Sequence, residues 1–265
     1  MKLIRWGFVV HAAIDGYSRI VVFANISTDN KAATVLKYFR AAEQIHGKPS
    51  RLRCDFGGEN IAVAEYMLRD RGINRGSVLT GPSNRNQRIE RVWRDCSRSV
   101  IKLFSRIFTF LEERQRSLDY ADPLCVVCLH YVFVPRIQHL LDQWVAAWNS
   151  HPIEGCGNQS PLQLREAGFL QRFGSASRHI REVFDGPLPA DTSEDDYGVD
   201  AENDITEELQ ESCRHVTIPQ LPSVLPLNRM EEIMRCLSSV NALENDENYG
   251  IDVYNKCLHV ARSVP

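Results

Sequence analysis

An aspartate that ends a short apolar strand and meets two glycines is well placed to hold a ligand. The run Arg53-Cys54-Asp55-Phe56-Gly57-Gly58-Glu59-Asn60 has that form. Open α/β sheets bind ligands at the carboxyl ends of their strands, and glycine lets the backbone turn there without a side chain in the way. The same turn also serves structure alone. A second carboxylate, Glu90, lies 35 positions on, in a helical pattern from about Asn86 to Glu113. At about 100° per residue, Ile89, Val92, Trp93, Cys96, Val100, Leu103, Phe104 and Ile107 share one face. Arg88, Arg91, Arg94, Arg98, Lys102 and Arg106 share another of similar width. Glu90 projects between the two, either as a functional carboxylate or as an ion-pair partner for Arg94 at i,i+4. Together with Arg85, the cationic row suits contacts to a phosphate backbone; its plain alternative is a solvated face. Trp93 and Phe104, the main aromatics of the segment, fall on the apolar face, so no base-stacking platform is expected.

Cys125-x-x-Cys128 followed by His130 has the first half of a zinc-ligand spacing, but no second cysteine pair follows nearby. The trio sits in the apolar run Leu124 to Val134, which reads as buried packing.

The elements that must position these residues follow from local pattern. Ile4, Trp6, Phe8 and Val10 alternate with smaller or polar residues and predict a strand. Asp15-Gly16-Tyr17-Ser18 is a turn, and Arg19 to Ala24 predicts a second strand, antiparallel to the first. A helix is expected from about Lys31 to His46, capped by Asp29 or Asn30 and closed by Gly47. Arg51 to Cys54 is a short strand, Asn60 to Arg71 a helix ended by Gly72, and Ser77 to Leu79 another short strand. After the long helix, Asp122-Pro123 leads into an apolar helix to Trp148 with Pro135 inside it. Ser160-Pro161 starts a further helix over Leu162 to Ala167. This order predicts an α/β fold with a mixed sheet flanked by helices.

Composition separates the chain into two parts. Residues 1–184 carry 26 Lys and Arg against 17 Asp and Glu, whereas residues 185–265 carry 5 against 17. A basic part followed by an acidic one points to a polyanion-binding domain with a solvating or regulatory tail. Asp185 to Glu211 holds eleven acids and no Lys or Arg, and reads as disordered. Beyond it, Asn228 to Ser239 and, more weakly, Tyr249 to Arg262 have helical patterns. No run of about 18 apolar residues predicts a membrane span, and the start lacks the h-region and cleavage site of a signal peptide. Eight scattered cysteines suit free thiols in a reducing compartment.

Taken together, four segments in order resemble the catalytic core of DDE-type integrases, the family of retroviral and retrotransposon integrases and of cellular integrase-core-domain proteins. Cys54 to Glu59 is similar to the family's second-Asp motif, and Gly81-Pro82 through Asn86-Gln87-Arg88-Ile89-Glu90-Arg91 to the loop and helix start that carry its final Glu. Ala147 to Pro152, followed by Ser160-Pro161-Leu162, resembles the ending of many such cores, and Ile14 to Arg19 their second-strand motif. The likeness implies an RNase H-like core over residues 1–168. Composition and pattern set beyond it a helical extension at 169–184, an acidic disordered linker at 185–214 and a helical C-terminal tail at 215–265. The likeness also implies two Mg²⁺ or Mn²⁺ ions that activate the attacking oxygen and stabilise the leaving one. Asp55 and Glu90 map onto the second and third metal ligands.

The family's first Asp lies on a strand that would precede Met1. Asp15, the only acidic residue near the start, belongs to a turn that is usually structural in the family, and is carried as a third candidate ligand. Two carboxylates balance the charge of two divalent ions poorly, so the chain as written is expected to be inactive or impaired. The readings left open are a DNA strand-transfer core in the nucleus, or failing that the cytoplasm; a non-catalytic DNA-binding or assembly protein; and a nuclease. DNA through its phosphates is the expected partner, with a homo-oligomer as a further option and no membrane.

Overall fold

The computed structural model describes residues 3–55, 57–72, 75–81, 87–153, 156–174, 218–219 and 225–264. The predicted opening hairpin forms, later in the chain than expected. β1 (Val9–Ile14) pairs antiparallel with β2 (Val21–Ser27), with Val9 opposite Ser27 and His11 opposite Asn25. The residues read as the first half of a strand form instead a 3₁₀ turn at Ile4–Trp6. Gly7 ends that turn at φ +78°, and a Cβ on it would stand 2.8 Å from the Tyr120 hydroxyl and 2.9 Å from His130 Nε2. The alternation of apolar residues misled because Leu3 and Trp6 reach the core from a turn.

Further along, α1 (Ala32–His46), β3 (Leu52–Cys54), α2 (Ile61–Arg71) and β4 (Val78–Thr80) follow as predicted. Asp29 supports the start of α1, its Oδ1 accepting from the Lys31 amide at 3.0 Å and the Thr34 hydroxyl at 2.7 Å. β3 and β4 pair in parallel with α2 as the crossover. The strands therefore make two separate two-stranded sheets, one antiparallel and one parallel, where the sequence predicted one mixed sheet. Among the described residues no strand joins them.

The long helix after β4 is not uniform. α3 (Gln87–Cys96) and α4 (Lys102–Thr109) are separated by a π turn at Ser97–Ile101, and a second π turn covers Phe110–Arg114. In a pure α-helix every fourth residue drifts by about 40° around the axis. The wider π turns, with i→i+5 bonding, take up that drift. Val92, Cys96, Val100, Phe104 and Phe108 thus stay buried as one row, with Leu111 beyond it. A fixed 3.6-residue wheel places Leu103 on the core face and leaves out Phe108; the structure buries Phe108 and leaves Leu103 partly covered.

At the hub is α5 (Pro123–Ser150), with Asp122 as its N-cap accepting from the Leu124 amide at 2.9 Å. By length and apolar composition α5 could pass for a membrane span, yet its apolar side chains are the centre of the main core. Phe108 stands 5.3 Å from Phe8 in a stacked pair and 4.9 Å from Phe133 edge-on. Such pairs add about 0.5–1.5 kcal/mol each beyond the area they bury. Polar side chains of α5 also close the outer edge of β2. Gln138 accepts from the Ile26 amide at 3.0 Å and donates to the Ala24 carbonyl at 3.1 Å. Asn149 likewise accepts from the Val21 amide at 2.8 Å and donates to its carbonyl at 3.1 Å.

The remaining described helices are α6 (Pro161–Gly174), α7 (Leu227–Leu237) and α8 (Ile251–Ser263). The last two, read from sequence as a tail, are part of the main core. Ile233, Leu237, Tyr254, Cys257 and Leu258 are buried against α5 and its neighbours. The Tyr131 hydroxyl donates to the Leu237 and Val240 carbonyls at 2.7 and 2.9 Å, and Tyr254 donates to the Ser117 carbonyl at 3.2 Å. A smaller second core joins α1, α2, β3 and β4 through Val35, Phe39, Cys54, Val63, Ala64, Met67 and Val78. The acidic stretch read as disordered, 185–211, lies outside the described residues, as does the whole linker 185–214.

Candidate functional site

Asp55 follows directly on β3, half-buried, where the parallel pair opens towards the loop before α2. Asn60 Nδ2 donates to Asp55 Oδ1 at 3.0 Å. Asparagine at a helix start ordinarily caps it, but Asn60 makes no side-chain cap bond to α2 and spends its amide on the carboxylate. One Asp55 oxygen is thereby fixed.

Beside it, the chain folds the Glu59 side chain back over Gly57, where a Cβ would stand 2.6 Å from the Glu59 carboxylate. Asn30 Nδ2 donates to Glu59 Oε2 at 3.5 Å. His11, on β1 and only 8% exposed, has its Nε2 3.4 Å from the Asp29 carbonyl. Burial pulls the His11 pKa down, opposed by that carbonyl and by the negative charges of Glu59 and Asp29. The loops after β2 and β3 therefore meet at β1. The sequence motif named Glu59 and Asn60 without giving either a role; the only hint was a capping-type residue directly before an apolar helix.

Glu90 is exposed on the first turn of α3. Among the described residues it makes no ion pair, so the alternative partner, Arg94 four residues on, is not engaged with it. Asp15 is occupied in the hairpin turn. Its Oδ2 accepts from the Tyr17 amide at 3.2 Å and from the Ser18 amide and hydroxyl, both at 2.7 Å. That matches the turn role read from the sequence.

Of the cationic row, Arg91, Arg94, Arg98, Lys102 and Arg106 are exposed. Arg88 is exposed too but donates to the Gly16 carbonyl, tying the start of α3 to the hairpin turn. Arg85 lies outside the described residues.

Asp55 and Glu90 offer hard oxygen donors of the kind Mg²⁺ and Mn²⁺ prefer. Among the described residues, however, no group of three or more His, Cys, Asp or Glu gathers as a metal centre. In donor type each fits such an ion, Asp55 from the end of β3 and Glu90 from the first turn of α3. The zinc-like spacing at Cys125 and Cys128 is packing. Both are buried, and burial pushes the Cys128 thiol up to about 12. His130 Nε2 donates to the Trp6 carbonyl at 3.0 Å, which occupies the ring in the core.

Compared with known families, residues 1–179 match the model of the integrase core domain. Comparison with curated proteins gives no match.

Proposed function

The chain belongs to the integrase core domain family, and from that premise we propose that it is a polynucleotidyl-transferase core of RNase H-like arrangement that engages duplex DNA in the nucleus. The observation that carries this reading is the row Arg91, Arg94, Arg98, Lys102 and Arg106, exposed along α3 and α4 and starting beside Glu90. Side chains at this spacing follow a polyanion without reading its sequence. Integrase core domains generally use divalent metals. Asp55 and Glu90 are the residues that would hold Mg²⁺ or Mn²⁺ here. When bound, such ions supply an activated attacking oxygen and a stabilised leaving oxygen. Asn60 holds one Asp55 oxygen still and leaves the other free to bind. The arginine row fixes the duplex phosphates next to Glu90, and Arg88 keeps the start of that helix on the hairpin.

A second reading is a DNA-binding or assembly protein without strand chemistry. It is favoured by one observation, that no group of three or more metal-ligating side chains gathers among the described residues. The test uses the full chain, a duplex oligonucleotide and Mn²⁺. Cutting or joining of strands, lost in Asp55→Asn and Glu90→Gln, supports the transferase. Duplex binding that weakens with salt and yields no product supports the second reading. A chain that does not bind duplex DNA at low salt contradicts both.

A further inference from the structure

Past Lys102 the cationic face runs into a shallow concavity of about 300 Å³, lined by Ser105, Arg106, Thr109, Phe110, Glu113 and Arg114. Phe110 is 46% exposed, whereas Phe104 and Phe108 on the same helix are 2% and 0% exposed. Phe110 lies two residues past the buried Phe108 and so about 200° around the axis from it; a π turn begins there, and such turns recur at functional sites. Glu112 is engaged by Arg5 in an ion pair. Arg106 and Arg114 therefore outnumber Glu113, the one carboxylate lining the concavity. The face thus ends in an uncovered aromatic ring between two guanidinium groups and two hydroxyls.

We propose that this concavity is a subsite for one unpaired nucleotide of single-stranded DNA, continuous with the duplex-binding row. Phe110 stacks on the base, because every base offers a π face once it has left the helix. Arg106 and Arg114 hold the flanking phosphates as cations beside the stacked base. Ser105 and Thr109 donate hydroxyl protons to phosphate oxygens, and Glu113 accepts from an exocyclic amino group of the base. A paired base keeps its faces inside the duplex, so the ring discriminates by strandedness, while Glu113 favours bases that carry an amino group. The subsite rests on the reading of the α3–α4 face as a DNA surface, since the same face delivers the strand.

The test measures fluorescence anisotropy of a dye-labelled single strand and of its matching duplex with the full chain. Phe110→Ala is expected to weaken single-strand binding about tenfold and to leave duplex binding within about twofold. Phe110→Trp is expected to retain affinity and to lose indole fluorescence when the single strand binds. Equal loss on both substrates, or no loss on either, overturns the subsite. If Phe110→Ala instead abolishes self-association in sedimentation while nucleic-acid binding stays intact, the ring belongs to a protein interface and the subsite is likewise overturned. Failure of the underlying reading looks different: Arg91→Ala and Arg94→Ala would then leave wild-type-level duplex binding.

Discussion

At the scale of single residues the candidate site is a carboxylate held by an amide. Asn60 leaves Asp55 with one fixed oxygen, an arrangement that orients a ligand before it binds. Asp55→Asn and Glu90→Gln are expected to keep the wild-type melting temperature and to weaken Mn²⁺ binding, read by paramagnetic relaxation; unchanged affinity in both would remove the assignment. Asn60→Ala is expected to weaken it about tenfold, without the charge change of the other two. A pH effect follows from histidines elsewhere. Burial lowers the pKa of His130, and of His11, below the ordinary 6.5. The unfolded chain then takes up protons near that pH before the folded one does. Stability is full above about 6.5 and is lost as pH falls towards the lowered folded values. Urea unfolding at stepped pH checks this, and His130→Gln, which keeps a donor for the Trp6 carbonyl, is expected to flatten the acid limb. Asp55 was legible in the sequence because a strand, an aspartate and two glycines are neighbours there. The amide that holds it was not, since Asn60 reads locally as a helix cap.

Among the elements, those set by neighbours in the chain follow the sequence closely. α1, α2, β3 and β4 agree because terminal glycines and short apolar runs are local signals. What escaped depends on distant contacts or on helix periodicity. The 3₁₀ turn at Ile4–Trp6 exists because Gly7 lets the backbone close on Tyr120 and His130. The π turn at Ser97–Ile101 shifts the buried row by an amount that a fixed 3.6 period misses, and so hid the exposed Phe110. The incorporation of α7 and α8 into the core was invisible because their partners on α5 lie about a hundred residues away in sequence. Tyr254 is fully buried between α8 and α5, and Tyr254→Ala is expected to cost about 3–5 kcal/mol. Tyr254→Phe, which loses the bond to the Ser117 carbonyl but keeps the ring, is expected to cost about 1 kcal/mol. Chemical denaturation of both variants measures the difference, and equal small losses would show that α8 contributes little to the core. Asn149→Ala removes the partner of both Val21 backbone groups and is expected to cost about 1–3 kcal/mol.

For the whole molecule the governing quantity is the uneven charge. The net charge of -3 combines a basic first part with an acidic second one. Exposed cations on α3 and α4 set the pull on a polyanion, and the eleven acids of residues 185–211 oppose it through the long-range field. Replacing those acids with Asn and Gln is therefore expected to tighten non-specific DNA binding, most of all at low salt. Removing residues 185–265 outright is a poorer experiment, since it takes away α7 and α8 and with them part of the core. The measurement that bears most directly on the DNA-binding claim is the salt dependence of duplex affinity, compared between the wild type and Arg91→Ala, Arg94→Ala and Arg98→Ala. Each substitution is expected to reduce the slope of log K against log salt by about one, at every duplex sequence tried. Slopes that stay at the wild-type value would show that the α3–α4 face does not hold DNA, and would contradict the account.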